Sequence, residues 1–150
     1  MSNKHLGIDF GRVRIGLAIS DPTGTLARGF RTIYRQRRDE EARESVAEIA
    51  AIVREEQVTA IVLGLPRRTD GQPSETAAEV RAFAGLLAEA TGIKPQFIDE
   101  RYTSVLAERT LSYAPGRKYK GKGRRAVIDQ VAAEIILQDY LNRRNDGKKR

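Results

Sequence analysis

Apolar and polar positions alternate at the start of the chain. Leu6, Ile8 and Phe10 interleave with Gly7 and Asp9, and a second apolar run follows from Ile15 to Ile19 with Gly16 inside it. A two-residue period predicts strands. Gly11 between the runs suits a tight turn through positive φ, so His5–Ser20 reads as a β-hairpin. Asp21-Pro22-Thr23-Gly24 is a turn signal, and Ala27–Tyr34 predicts a third strand. After the basic loop Arg35–Arg38 the period changes. Ala42, Val46, Ile49, Ala50 and Val53 recur at helical spacing, which predicts a helix beginning at Asp39 with one buried face. Thr59–Leu63 reads as a short strand bounded by Gly64-Leu65-Pro66. A helix from about Ser74 turns Ala77, Val80, Phe83, Ala84, Leu87 and Ala90 inward and stops at Thr91-Gly92. Pro95–Asp99 predicts a fifth strand. Thr103 is placed to cap a helix over Ser104–Leu111. Tyr113–Gly123 is a Gly- and Lys-rich loop, and a last helix runs from about Arg124 to Asn142.

Three hairpin-joined strands followed by strands alternating with helices imply an α/β fold, a mixed five-stranded sheet with helices packed on both faces. The chain reads as one domain over residues 1–144, with 145–150 as a disordered basic tail. In the parallel part of such a sheet, functional groups gather at the carboxyl ends of strands. The loop from Gly64 to Gly71 follows one of these ends and is placed to line a cleft.

Asp9 is a carboxylate inside an otherwise apolar strand. A buried charge costs several kcal/mol or more unless it is paired or bound to metal. Asp99 and Glu100 close the fifth strand. On the last helix, 100° per residue gathers Gln130, Glu134 and Gln138 into a polar stripe. Asp129 falls roughly opposite, among Ala132, Ala133 and Ile136. Those small alanines suit a close approach of helix to sheet. Two strand acids and one inward helix acid repel one another unless a cation holds them. Hard divalent ions, Mg²⁺ or Mn²⁺, prefer such oxygen ligands. Spacing does not choose between Asp99 and Glu100. Plainer roles compete: backbone hydrogen bonds for Asp9, pairing with Arg101 for Asp99 and Glu100, and pairing with Arg125 one turn earlier for Asp129. His5, the single histidine, reads as a strand-edge residue with no catalytic part.

Charge narrows the partner. The net charge is +7 over 150 residues, but residues 117–125 carry +6, Arg143–Arg150 carry +4, and the remainder is −3. Focused positive charge favours a polyanion, nucleic acid first. Arg12, Arg14, Arg101, Arg117, Lys118, Lys120, Lys122, Arg124 and Arg125 are the candidate phosphate contacts, with Tyr113 and Tyr119 placed to stack on bases. A carboxylate-held metal pair beside basic surface fits phosphodiester hydrolysis. Absence of cysteine excludes disulfides and thiol catalysis. No membrane span or apolar leader is seen, and a cytoplasmic location is expected.

Four stretches, GIDFGRVRIGLAISDPTG (7–24), IVLGLPRRTDG (61–71), IDERYTS (98–104) and RRAVIDQVAAEIILQDYL (124–141), together resemble the YqgF family, also called RuvX, a family of Holliday-junction resolvases and pre-16S rRNA nucleases. The resemblance spans nearly the whole chain. It implies an RNase H-like fold and a metal-dependent nuclease, and it assigns the site acids to Asp9, Glu100 and Asp129. It implies structured RNA, the 16S rRNA precursor, as substrate. The alternative is branched DNA, whose two-fold junction requires a homodimer where RNA cleavage is open to a monomer. Asp9-x-Gly11-x-x-x-x-Gly16 also resembles the phosphate-binding hairpin of actin-like ATPases and sugar kinases. Those proteins need a second domain with another Asp-x-Gly hairpin, which this chain lacks. A non-catalytic RNA-binding module is the remaining alternative.

Overall fold

The computed structural model of the chain describes residues 2–65, 75–99 and 121–148. Its strands are β1 (His5–Phe10), β2 (Arg14–Ser20), β3 (Ala27–Tyr34), β4 (Ala60–Leu65) and β5 (Gln96–Asp99). The helices are α1 (Arg43–Glu55), α2 (Glu75–Thr91) and α3 (Gly121–Lys148). The strands form one sheet in the order β3-β2-β1-β4-β5. β1, β2 and β3 pair antiparallel, as hairpins must, whereas β1–β4 and β4–β5 are parallel.

Helices cover both faces, as the mixed α/β pattern predicts. On one face Leu6, Ile8, Ile15, Leu17, Ile61 and Leu63 pack with Val46, Ile49 and Ile52 of α1 and Phe83 and Leu87 of α2. On the other, Ala18, Val62 and Ile98 pack with Ala133, Ile136, Leu137 and Leu141 of α3. β2 and β4 thus contribute alternate residues to two cores. Along β1, Leu6 and Ile8 go to the α1–α2 side, and Gly7 lets α3 come close on the other. A Cβ on Gly7 would stand 2.6 Å from Leu137 Cβ, and one on Gly29 of β3 would stand 3.2 Å from Gln130 Cβ. α3 therefore lies against a floor of glycine and alanine, closer than larger residues would allow.

Several sequence expectations are corrected. α1 begins at Arg43, not Asp39: Ala42, at φ 62°, stands at the N-cap position, and the Asp39 side chain reaches forward to the free N–H groups of the first turn. The Asp39 carboxylate accepts the Glu44 N–H at 2.9 Å, and the Ser45 N–H and hydroxyl at 3.2 and 3.0 Å. Burial raises the Asp39 pKa, but these donors and nearby Arg35 outweigh it and hold the carboxyl below its usual range. α3 begins three residues before Arg124 and continues to Lys148. Residues Asn145–Lys148, expected in a disordered tail, are helical, and Asn145 Nδ2 donates to the Gly24 carbonyl at 3.2 Å. β4 extends through Gly64 and Leu65. Ala90, expected inward, is exposed. Gly11 does not take positive φ; Gly24 (φ 70°) and Gly92 (φ 74°) are the described glycines that do. A side chain at Gly11 would instead strike the Arg14 carbonyl oxygen. His5 is not at a strand edge but buried in central β1, its Nδ1 2.8 Å from the Asn3 carbonyl and its ring 5.9 Å from that of Tyr140. The expected helix over Ser104–Leu111 and loop over residues 113–120 lie outside the described residues.

Candidate active site

The site starts from one cross-strand pair. Asp9 of β1 and Gly16 of β2 are directly opposed in the antiparallel register. Opposed residues share a face of the sheet, and Gly16 faces α3. A Cβ on Gly16 would fall on the Asp129 carbonyl oxygen and stand 3.0 Å from Asp129 Cβ. Asp9, Gly16 and Asp129 therefore converge on the α3 side, near the carboxyl end of β1. Helical periodicity had marked Asp129 as inward, and it is: its side chain is 17% exposed.

The partner of Asp129 is not Arg125 one turn earlier. It is Arg14, two residues before Gly16 and on the same face of β2. Arg14 Nε donates to Asp129 Oδ2 at 2.6 Å, with the arginine side chain 27% exposed. Burial raises the Asp129 pKa, and the Arg14 hydrogen bond and charge only partly oppose it. A short ion pair usually favours the charged carboxylate; here desolvation is the larger effect. Arg14, expected as a phosphate contact, is committed to a carboxylate in this state. The signal for this pairing was weak, since the partners are 115 residues apart.

Other expected site residues fall differently. Arg12 is exposed and forks onto Glu79 of α2, with Nη2–Oε1 at 2.8 Å and Nε 3.1 Å from both carboxylate oxygens. Arg125 is exposed at the start of α3. Lys122 and Arg124 belong to the same helix. Glu100, Arg101, Tyr113, Arg117, Lys118, Tyr119 and Lys120, and the loop after Leu65, lie outside the described residues. Among the described residues no three His, Cys, Asp or Glu side chains are grouped to hold a metal ion. Asp99 does not join the pair. Ile98 packs with α3, Phe97 lies under Arg81 of α2 at 5.5 Å, and two-residue alternation puts Asp99 on the Phe97 side.

A cavity of about 950 Å³ lies on the opposite, α1–α2 face, with Phe10 and Phe83 among its lining residues. The sheet separates its aromatic lining from Asp9 and Asp129, so it is not the place where the acids meet. No described helix is long and apolar enough to cross a membrane.

Comparison with known proteins places this arrangement. A family described as RuvX, Holliday junction resolvase, matches residues 3–143. A Moorella thermoacetica protein bearing the name of a pre-16S rRNA nuclease is 43% identical, over 92% of this chain and 94% of its own length. A Mycolicibacterium smegmatis protein of the same name is 41% identical, over 94% of this chain and 81% of its own length. Among solved structures, Thermus thermophilus RuvC in complex with Holliday junction substrate superposes with a TM-score of 0.55 at 13% identity, covering 94% of each chain. That likeness is one of fold, and it makes the mixed sheet RNase H-like. The chain belongs to the RuvX family.

Proposed function

We propose that the chain is a divalent-metal-dependent nuclease that hydrolyses phosphodiester bonds in structured RNA, acting in 5′-end maturation of the 16S rRNA precursor. The observation that carries this reading is the convergence of Asp9 and Asp129 over Gly16. Two features fit a hard cation there. Gly16 leaves the space that lets the two acids approach across the sheet–helix boundary, and a guanidinium already stands on Asp129 where a cation would. Asp9, Glu100 and Asp129 would hold Mg²⁺ or Mn²⁺ through oxygen ligands. The choice of Glu100 over Asp99 rests on the family resemblance. When bound, the ions supply Lewis acidity at the scissile phosphate and activate water.

The chain's own residues prepare the rest. β1 and β2 fix Asp9 in a hydrogen-bonded ladder, and α3 fixes Asp129 against it, so the ligands need little reorganisation. α3 has no acid in its first turn and opens with Lys122, Arg124 and Arg125. Cations at a helix N-terminus oppose the macrodipole, and a phosphate backbone relieves that conflict.

The family description favours a second substrate, a four-way DNA junction, cut with the same chemistry by a dimer. One preparation tested on precursor 16S rRNA and on four-way DNA junctions with Mg²⁺ or Mn²⁺ separates the two. RNA cleavage is expected, with Asp9→Asn losing at least roughly 10²–10³-fold in rate while retaining nucleic-acid binding. Cleavage of junctions alone, at symmetric positions, would overturn the RNA reading. Full activity in Asp9→Asn would overturn the metal site.

A further inference from the structure

We infer that Arg14 is a resident counter-cation that competes with the metal for Asp129, so that metal loading displaces it. The inference rests on the metal reading above but concerns a residue that reading does not use as a ligand. Arg14 Nε lies 2.6 Å from Asp129 Oδ2, and both side chains are largely buried. An ion pair removed from water cannot lose one partner cheaply, because the remaining charge stays desolvated. The carboxylate therefore needs a cation at all times. β2 supplies one from the same face that carries Gly16, on which Asp129 rests.

Geometry makes the two cations competitors for one carboxylate. The carboxylate is hemmed in by β2 beneath α3, and its Oδ2 already accepts a short charge-assisted bond. A divalent ion coordinating that oxygen competes with the guanidinium for it and weakens its hold. The charge balance then shifts. A divalent ion adds two positive charges beside Asp129 and releases the guanidinium's own. The freed guanidinium, always protonated and forked, becomes a donor suited to a phosphate oxygen. Arg14 is thus held on Asp129 before metal arrives and is free to meet a polyanion afterwards. This explains how one residue serves as a carboxylate partner here and as the phosphate contact its position in the hairpin suggests.

The test is calorimetric titration of Mn²⁺ into the full chain without nucleic acid. Arg14→Gln is expected to bind Mn²⁺ about tenfold more tightly, because the competitor is gone. In an Asp129→Asn background the same change is expected to do nothing. Thermal unfolding gives a second readout. Arg14→Gln melts below the wild type without metal, and saturating Mn²⁺ closes that gap. A gap that Mn²⁺ leaves unchanged, or a wild-type Mn²⁺ affinity in Arg14→Gln, overturns the inference. So does a tenfold effect that persists without Asp129. If Arg14→Gln does not fold without metal, Arg14→Lys supplies the comparison: its point charge holds Asp129 less well, and Mn²⁺ binds about threefold more tightly. Equal affinity there overturns the inference as well. Failure of the wild type to bind Mn²⁺ at all is a different result, since it removes the metal site itself.

Discussion

Asp39 and Asp129 are two half-hidden acids with opposite fates. Asp39 receives backbone N–H groups and a hydroxyl, and its pKa falls despite burial. Asp129 receives one guanidinium, and burial prevails. Only the first is a stabilising anion in its own right. Its folded pKa lies below the unfolded value of about 3.9, so its contribution is complete above that pH and is lost as pH falls toward the folded value. Asp39→Ala is expected to cost about 1–2 kcal/mol at pH 7 through the lost cap. Urea unfolding at pH 7 and at pH 3 checks this, with the difference from wild type shrinking at the lower pH. Asp129 was visible in the chain as an acid among apolar residues, and Asp39 only as the start of a helix. Their partners were not equally visible. Asp39 is satisfied within six residues, whereas Asp129 is satisfied by β2. The choice of Arg14 over Arg125 depends on how helix and sheet meet, which helical periodicity does not encode.

The elements follow their hydrophobic periods, and departures have local causes. β1, β2 and β3 were legible because alternation and turn residues agree. The start of α1 was misplaced because a capping aspartate looks like a first-turn acid. The polar stripe of α3, Gln130, Glu134 and Gln138, lies roughly opposite Asp129 by helical periodicity. In the fold, Gln130 donates to Thr32 Oγ1 at 3.2 Å, and Gln138 accepts the Ala27 N–H at 2.8 Å. Polarity marked the stripe correctly, but a polar stripe also fits a sheet edge with groups to satisfy. α3 overran both expected ends because tertiary contacts such as Asn145 to Gly24 override the weak propensity of its terminal residues. The tightest seam between elements makes a stability prediction. Gly16→Ala places a methyl on the Asp129 carbonyl, so α3 must withdraw. A loss of about 1–3 kcal/mol is expected, with weaker Mn²⁺ binding. Gly85→Ala in α2 meets nothing within 4 Å and is the control, expected to gain about 0.5–1 kcal/mol. Chemical denaturation of both variants checks the pair.

Across the whole molecule, charge and fold divide the labour. The sheet and α3 bring two acids together, while the excess positive charge lies mostly in residues 117–125 and Arg143–Arg150. Neutralising Lys118, Lys120 and Lys122 together is expected to weaken RNA binding and reduce its salt slope by roughly 0.7–0.9 per lost phosphate contact. Binding measured across a salt series checks this, and an unchanged slope places the RNA elsewhere. The architecture was legible at this scale because element order alone restricts a mixed five-stranded sheet to few arrangements. The site was legible only in part, because the register that sets Asp9 opposite Gly16 is a property of the paired hairpin.

That register also sets when the site comes into being. Asp9 emerges in the first tenth of the chain, and Asp129 only in the last fifth. A nascent chain that has built all five strands still lacks Asp129. Its small-residue floor at Gly7, Gly16 and Gly29 waits for α3 to dock. The order of synthesis therefore keeps Asp9 and Asp129 apart until the last helix has been made.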